Sequence, residues 1–144
     1  EFFIKSFEEL TTTELYDFLQ LRSDIFVVEQ DCIFLDLDNR DKNAIHIFAK
    51  KHNKIIAYTR LFKPGDYYKE ASIGRVVVKK EERKYGYGHD LMKFSIQVIE
   101  NKFETSIIKI GAQLYLKNFY NSHGFKQVGE EYLEDGIKHI YMLK

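Results

Sequence analysis

A chain of 144 residues with one cysteine, one proline and no tryptophan excludes several classes of protein at once. Cys32 alone cannot form an internal disulfide, so a disulfide-built scaffold is excluded and a reducing compartment is expected. Pro64 is the single proline and no serine-rich or glycine-rich tract occurs, so there is no linker and residues 1–144 are expected to form one domain. Lys plus Arg and Asp plus Glu balance at 22 each, leaving no charge excess for nucleic acid or an anionic membrane. Apolar runs of membrane-spanning length are missing, and Phe2-Phe3-Ile4 is too short for a signal peptide, so the expected location is cytoplasmic. The five histidines, His46, His52, His89, His123 and His139, lack metal-ligand spacing. The stretch from Asp36 fails as a calcium loop, with Arg40 at its fifth position, Asp41 where glycine is required and Ile47 where a bidentate glutamate is required. No metal is expected.

What is present is an ordinary globular composition, 44% hydrophobic and 15% aromatic, arranged around one stretch. Ile73-Gly74-Arg75-Val76-Val77-Val78 is a β-branched run of the kind that forms a buried strand. In Arg83-Lys84-Tyr85-Gly86-Tyr87-Gly88 two glycines permit backbone conformations and close approaches barred to other residues. Tyr87, Leu91, Phe94 and Val98 then recur at helical spacing, predicting a helix from Gly86 to about Phe103. The free N–H groups of its first turn point into the glycine turn and can hold a phosphate, with Arg83 and Lys84 adding positive charge. The turn lacks the Walker pattern G-x-x-x-x-G-K-[ST], and Leu91 stands where a dinucleotide fingerprint needs its third glycine.

Around this stretch, Phe2 to Phe7 reads as a first strand. Thr11 and Glu14 form a capping box before a helix whose Leu15, Phe18, Leu19, Ile25 and Phe26 share a face. Ile45 to Lys51 and Lys54 to Phe62 read as strands joined at His52-Asn53, and Ile107 to Gln113 as another. Tyr115 to Ser122 reads as a short helix closed by Gly124, and Phe125 to Leu133 with Ile137 to Leu143 as a hairpin around Asp135-Gly136. The fold class expected is α/β (α+β): a mixed, mostly antiparallel twisted sheet of about six or seven strands with helices on both faces.

Two stretches in register resemble a known family. Arg83 to Gly88 is similar to the R-x-x-G-x-G pyrophosphate turn of the GNAT superfamily of N-acetyltransferases. Phe119-Tyr120-Asn121-Ser122-His123-Gly124-Phe125, roughly thirty residues later, is similar to its second signature, F/L-Y-x-x-x-G-F. The order of elements matches over nearly the whole chain. Leu21-Arg22, Phe26 to Gln30, Asp36-x-Asp38-x-x-Asp41, His46, Gly74-Arg75-Val76, Gly111-Ala112-Gln113 and Glu134 to Ile137 with His139 resemble the ElaA-like branch. That resemblance implies a GNAT fold and transfer of an acetyl group from acetyl-CoA to a primary amine of a small molecule or peptide by direct attack. It also implies that the backbone of Val76, Val77 and Val78 pairs with the pantetheine arm as an added strand would. The backbone of Arg83, Lys84, Tyr85, Gly86, Tyr87 and Gly88 would hold the pyrophosphate, the Asn118 amide would reach the cofactor, and Tyr120 would protonate the departing thiolate. The acceptor is unspecified, and a homodimer stays open.

The chemistry sets two proton problems. A lysine-like amine, with a reference pKa of about 10.4, is neutral in roughly one molecule per 2,500 at pH 7, a cost of about 4.6 kcal/mol that a base or a desolvated site must offset. The departing thiolate needs an acid, which a hydrogen-bonded tyrosine can supply. Glu29, Asp38, His46 and His139 are candidates for the base, His46 and Glu29 foremost; Arg60, Arg75, Asp38, Gln113 and His139 are candidates for the acceptor site. Arg75 alternates with Ile73 and Val77, which places it on an apolar face. There it needs an acidic partner such as Glu29 or Asp38, unless it and Arg60 grip an anionic acceptor. Two other readings stand beside the enzyme: an acyl-CoA-binding sensor with the same fold and little turnover, and a structural domain whose turn binds nothing. Retention of Tyr120 favours the enzyme over the sensor, and the paired signatures argue against the third.

Overall fold

Alternating apolar side chains build seven strands, β1 (Phe2–Ser6), β2 (Ile45–Lys51), β3 (Lys54–Phe62), β4 (Ser72–Val78), β5 (Lys109–Gln113), β6 (Lys126–Glu134) and β7 (Ile137–Leu143). In the computed structural model, which describes residues 1–144, they form two antiparallel sheets in the orders β1-β2-β3-β4 and β5-β7-β6. One parallel bridge, Ala71 to Ile108, joins the sheets, and the Lys109 N–H donates to the Ala71 carbonyl at 2.8 Å. Beyond it β4 and β5 part, each an edge strand without a neighbour on that side. The turns at His52-Asn53 (φ +52° and +64°) and Asp135-Gly136 (φ +50° and +79°) have positive φ at both central residues, as a tight hairpin requires.

Helices cover both faces. Helix α1 (Thr12–Arg22) opens on the expected capping box, with the Glu14 N–H donating to Thr11 Oγ1 and the Thr11 N–H to Glu14 Oε1, both at 3.0 Å. It runs on as a wider π-helical turn, Ser23–Glu29, which the apolar periodicity did not distinguish from ordinary helix. Phe18, Leu21 and Ile25 pack there with Phe48, Ile55, Tyr58 and Val77 in a core of seven buried residues. Helix α2 (Tyr87–Phe103) covers the other face with Leu91, Met92, Val98 and Ile99 in a core of 18 buried residues that spans both sheets. A 3₁₀ turn, Lys80–Tyr85, leads into α2, and α3 (Lys117–Asn121) follows a 3₁₀ turn at Leu114–Leu116. No helix is long and apolar enough to cross a membrane.

The strand β4 departs from simple alternation. Ile73 lies in the larger core and Val77 in the smaller one, although residues four apart share a face in a regular strand. The register against β3 shifts between Tyr58 and Arg60, and Arg75 sits at φ +50°, so a bulge exchanges the two faces. Arg75 consequently does not share one apolar face with both neighbours. Its left-handed backbone costs about 1–2 kcal/mol, and its side chain is turned toward the carboxylate of Asp36, 2.8 Å away.

Candidate active site

Where β4 and β5 part, a cavity of about 460 Å³ opens, walled by Val76, Val77 and Val78 on one side and Ile110 and Ala112 on the other. Arg83, Gly86 and Gly88 line it beyond the end of β4. Gly86 precedes α2 at φ +76°, a conformation costly for any side chain, and no side chain caps the helix start. The first-turn N–H groups of α2 are therefore not spent on a cap. Arg83 donates from Nε to the Val78 carbonyl at 3.1 Å and pairs through its other nitrogens with Glu29 at 2.8 and 3.1 Å. The side chains of Lys84, Tyr85 and Tyr87 lie outside the cavity: the two tyrosine rings pack at 5.7 Å, and Lys51 and Lys84 lie over Tyr85 at 4.7 and 5.2 Å. Asn118 also lies outside the lining.

Tyr120, on α3, reaches the cavity although it is only 6% exposed. Phe119 and Phe125 hold its ring edge to face at 5.1 and 6.1 Å, and its hydroxyl forms no hydrogen bond within the protein. Burial raises its pKa above the ordinary tyrosine value and keeps it protonated. The remaining wall comes from the segment after the π-helical turn and from the β6–β7 hairpin. Gln30 and Gln113 exchange amide hydrogen bonds at 3.0 and 3.1 Å across the cavity edge. The Cys32 thiol donates to the Asp135 carbonyl at 3.4 Å, and Glu134 and His139 complete the wall. Phe26, Gln30, Cys32, Phe34 and His89 were not read as lining residues; their only sequence signal was that Phe26 and Gln30 fall in a family-like stretch.

Three of the expected residues belong to a second, adjoining gathering of polar groups. Arg22 binds Asp36 at 2.9 Å and Asp41 at 2.8 Å; Arg60 binds Asp38 at 2.6 Å and Asp41 at 2.9 Å; Arg75 binds Asp36 at 2.8 Å, with Asp38 at 3.7 Å. Arg60 and Asp38 are outside the cavity, and Arg75 lines it with its guanidinium already engaged. Of the two acidic partners expected, Asp38 pairs with Arg60 and stands 3.7 Å from Arg75, whose nearer partner is Asp36, whereas Glu29 serves Arg83; both Arg60 and Arg75 are thus engaged by carboxylates. His46 is fully buried, with Nε2 2.8 Å from the Asp41 carbonyl and Nδ1 2.6 Å from the Tyr58 hydroxyl. A carbonyl only accepts, so Nε2 carries the proton and Nδ1 accepts from Tyr58. Burial lowers the pKa of His46 and keeps it neutral. Outside the cavity and with both nitrogens spent, His46 is not placed to serve as the base.

A family model described as an acetyltransferase (GNAT) domain matches residues 27–144. The chain belongs to the GNAT family of acetyltransferases. Within that family it is similar to protein ElaA of Escherichia coli, at 39% identity over 94% of this chain and 90% of ElaA. A UPF0039 protein of Schizosaccharomyces pombe is 40% identical over 99% of this chain and 95% of its own. Two crystal structures superpose over the whole of this GNAT domain at 37% identity. An acyl-CoA N-acyltransferase from Pseudomonas aeruginosa does so with a TM-score of 0.94 and 99% of that chain covered, and E. coli ElaA with 0.93 and 98%. The parted strands and the glycine turn thus belong to an acyltransferase fold.

Proposed function

We propose that the protein is an acyl-CoA-dependent N-acetyltransferase acting on a primary amine, with Tyr120 as the acid that protonates the thiolate of coenzyme A. What carries this reading is the alignment of unspent groups along one cavity: the free edge of β4, the uncapped glycine turn and the unbonded Tyr120 hydroxyl. An extended pantetheine arm can add to the edge of β4 through main-chain hydrogen bonds, for which side-chain identity matters little. The pyrophosphate sits at the start of α2, on backbone N–H groups and the positive end of the helix dipole. The amine nitrogen attacks the thioester carbonyl, the carbon–sulfur bond breaks, and the Tyr120 O–H gives its proton to sulfur. A sensor without turnover has no use for a protonated hydroxyl held unpartnered in the cavity, which favours the enzyme.

Thermal unfolding with and without acetyl-CoA tests the cofactor half of this reading, beside a Gly86→Glu variant that fills the turn. Ligand at a hundredfold over Kd stabilises the native state by about 2.7 kcal/mol. The parent is expected to shift and the variant not. A parent that does not shift at saturating acetyl-CoA overturns the reading.

A further inference from the structure

We propose that His139 takes the proton from the acceptor amine, with Glu134 holding the imidazolium that results. This rests on the acyltransferase reading and assigns the proton acceptor of the same cavity. His139 is 7% exposed yet lines the cavity. Its Nδ1 lies 2.7 Å from the Ile137 carbonyl. A carbonyl has no proton to give, so in the neutral ring Nδ1 carries the hydrogen and Nε2 keeps its lone pair. Nε2 makes no hydrogen bond and is not sealed off within the protein, since Arg60 Nε is the only buried side-chain nitrogen or oxygen without a partner. A basic nitrogen of fixed tautomer, on a residue that lines the cavity, is therefore unspent.

The surroundings suit a proton acceptor. Glu134 brings a carboxylate oxygen to 3.8 Å from Nε2, too far to occupy the lone pair and near enough to face a proton placed there. From β6 the Tyr132 ring packs at 5.7 Å, and from β5 Gln113 stands opposite His139 with its amide engaged by Gln30. The hairpin adds the exposed Asp135, whose carbonyl is bound by Cys32. The cations that line the cavity, Arg75 and Arg83, are bound to Asp36 and Glu29. This wall favours an incoming ammonium over an anion. The steps balance: the ammonium gives one proton to Nε2, which passes it to solvent, and the neutral amine attacks the thioester. The second N–H proton reaches the phenolate left when Tyr120 protonates the sulfur. Products are the amide, coenzyme A as its thiol, and one proton in solution.

Nitrogen-15 NMR of histidine-labelled protein reads the tautomer without turnover, with the signal assigned by its loss in His139→Gln. Protonation at Nδ1 is expected, and protonation at Nε2 overturns the proposal whatever the acceptor is. The second measurement is the pH profile of kcat/KM for acetyl transfer to primary amines, 1,4-diaminobutane and n-butylamine among them. Because the base must be unprotonated, activity of the parent rises with pH along an acidic limb. His139→Gln is expected to lower kcat/KM by about 10²- to 10⁴-fold and to abolish that limb. Glu134→Gln is expected to lower kcat/KM for amines while the acetyl-CoA shift in unfolding persists, and an unchanged kcat/KM removes Glu134 from the proposal. A His139→Gln variant that keeps the parental limb sinks the base assignment alone, provided acetyl-CoA still shifts unfolding. Loss of that shift in the parent sinks the acyltransferase reading and this proposal with it.

Discussion

Two histidines, one in each sheet, show how differently the two polar gatherings of this molecule use their hydrogen-bonding capacity. His46, beside the arginine–aspartate cluster, commits Nε2 to a carbonyl and Nδ1 to the Tyr58 hydroxyl. His139, in the cavity, commits only Nδ1. The cluster sets three arginines against three aspartates and leaves a single buried nitrogen, Arg60 Nε, without a partner. The cavity keeps the Tyr120 hydroxyl and His139 Nε2 unbonded. Burial explains the contrast. A charge removed from water must be paired or it costs several kcal/mol, whereas a polar atom at a cavity wall can wait for water or substrate. In the cluster satisfied bonds hold the irregular segment around Asp36 and Asp38 in place. In the cavity unsatisfied ones mark where chemistry can occur.

The largest expected break of this contrast is in the cluster. Arg22→Ala removes a fully buried guanidinium and takes one of two arginine partners from each of Asp36 and Asp41, so it should cost about 3–5 kcal/mol in urea unfolding. A cost under about 1 kcal/mol would mean that the cluster is not closed to water. Next comes Tyr120→Phe, which removes a hydroxyl with no protein partner. Turnover should fall about 10²-fold or more while unfolding changes by less than about 1 kcal/mol and the acetyl-CoA shift persists. Equal turnover would remove Tyr120 from the mechanism.

Acid titration probes the cluster more gently. Burial alone would raise the Asp38 carboxyl, but hydrogen bonds and charge from Arg60, the Arg40 N–H and the charge of Arg75 outweigh it and bring its pKa down to about 2. A carboxyl depressed on folding contributes stability that is complete above the unfolded pKa of about 3.9 and is lost as pH falls toward 2. With its side chain 26% exposed, the contribution is about 1–2 kcal/mol. Asp38→Asn should flatten the loss of stability between about pH 4 and 2, and an unchanged slope would discount the ion pair. The smallest effect belongs to the exposed pair between Glu29 and Arg83, at 2.8 Å. Glu29→Gln should change unfolding by less than about 1 kcal/mol, and a larger loss would make this pair part of the structural cluster.

Much of the fold was legible because its signals are local. The spans Ile45–Lys51, Lys54–Phe62 and Ile137–Leu143 stand as strands with the bounds read from alternation, and the Thr11–Glu14 box and both tight turns form as their residues demand. Residue type and spacing also marked Gly86, whose positive φ leaves a trace in the pattern, whereas Tyr120 was marked only by the resemblance of Phe119 to Phe125 to a GNAT signature. The roles of His46 and Glu29 were not legible. Nothing within a few residues of His46 shows that Asp41 and Tyr58 will take both its nitrogens, and nothing near Glu29 points to Arg83, 54 residues away. The bulge at Arg75 likewise leaves the alternation of apolar residues intact in sequence while reversing it in space.

The sequence by itself determined the order of the elements and the glycine turn, because hydrogen bonds within a turn and apolar periodicity act between near neighbours, while Tyr120 stood out only through the family signature around it. Only the tertiary structure decided which charges are spent and which are open. That choice depends on where the irregular segment from Asp31 to Arg40 runs, and its path is set by the arginines of α1, β3 and β4 that it meets there. Pairing across such distances is a balance of desolvation against charge, and residue spacing along the chain does not encode it.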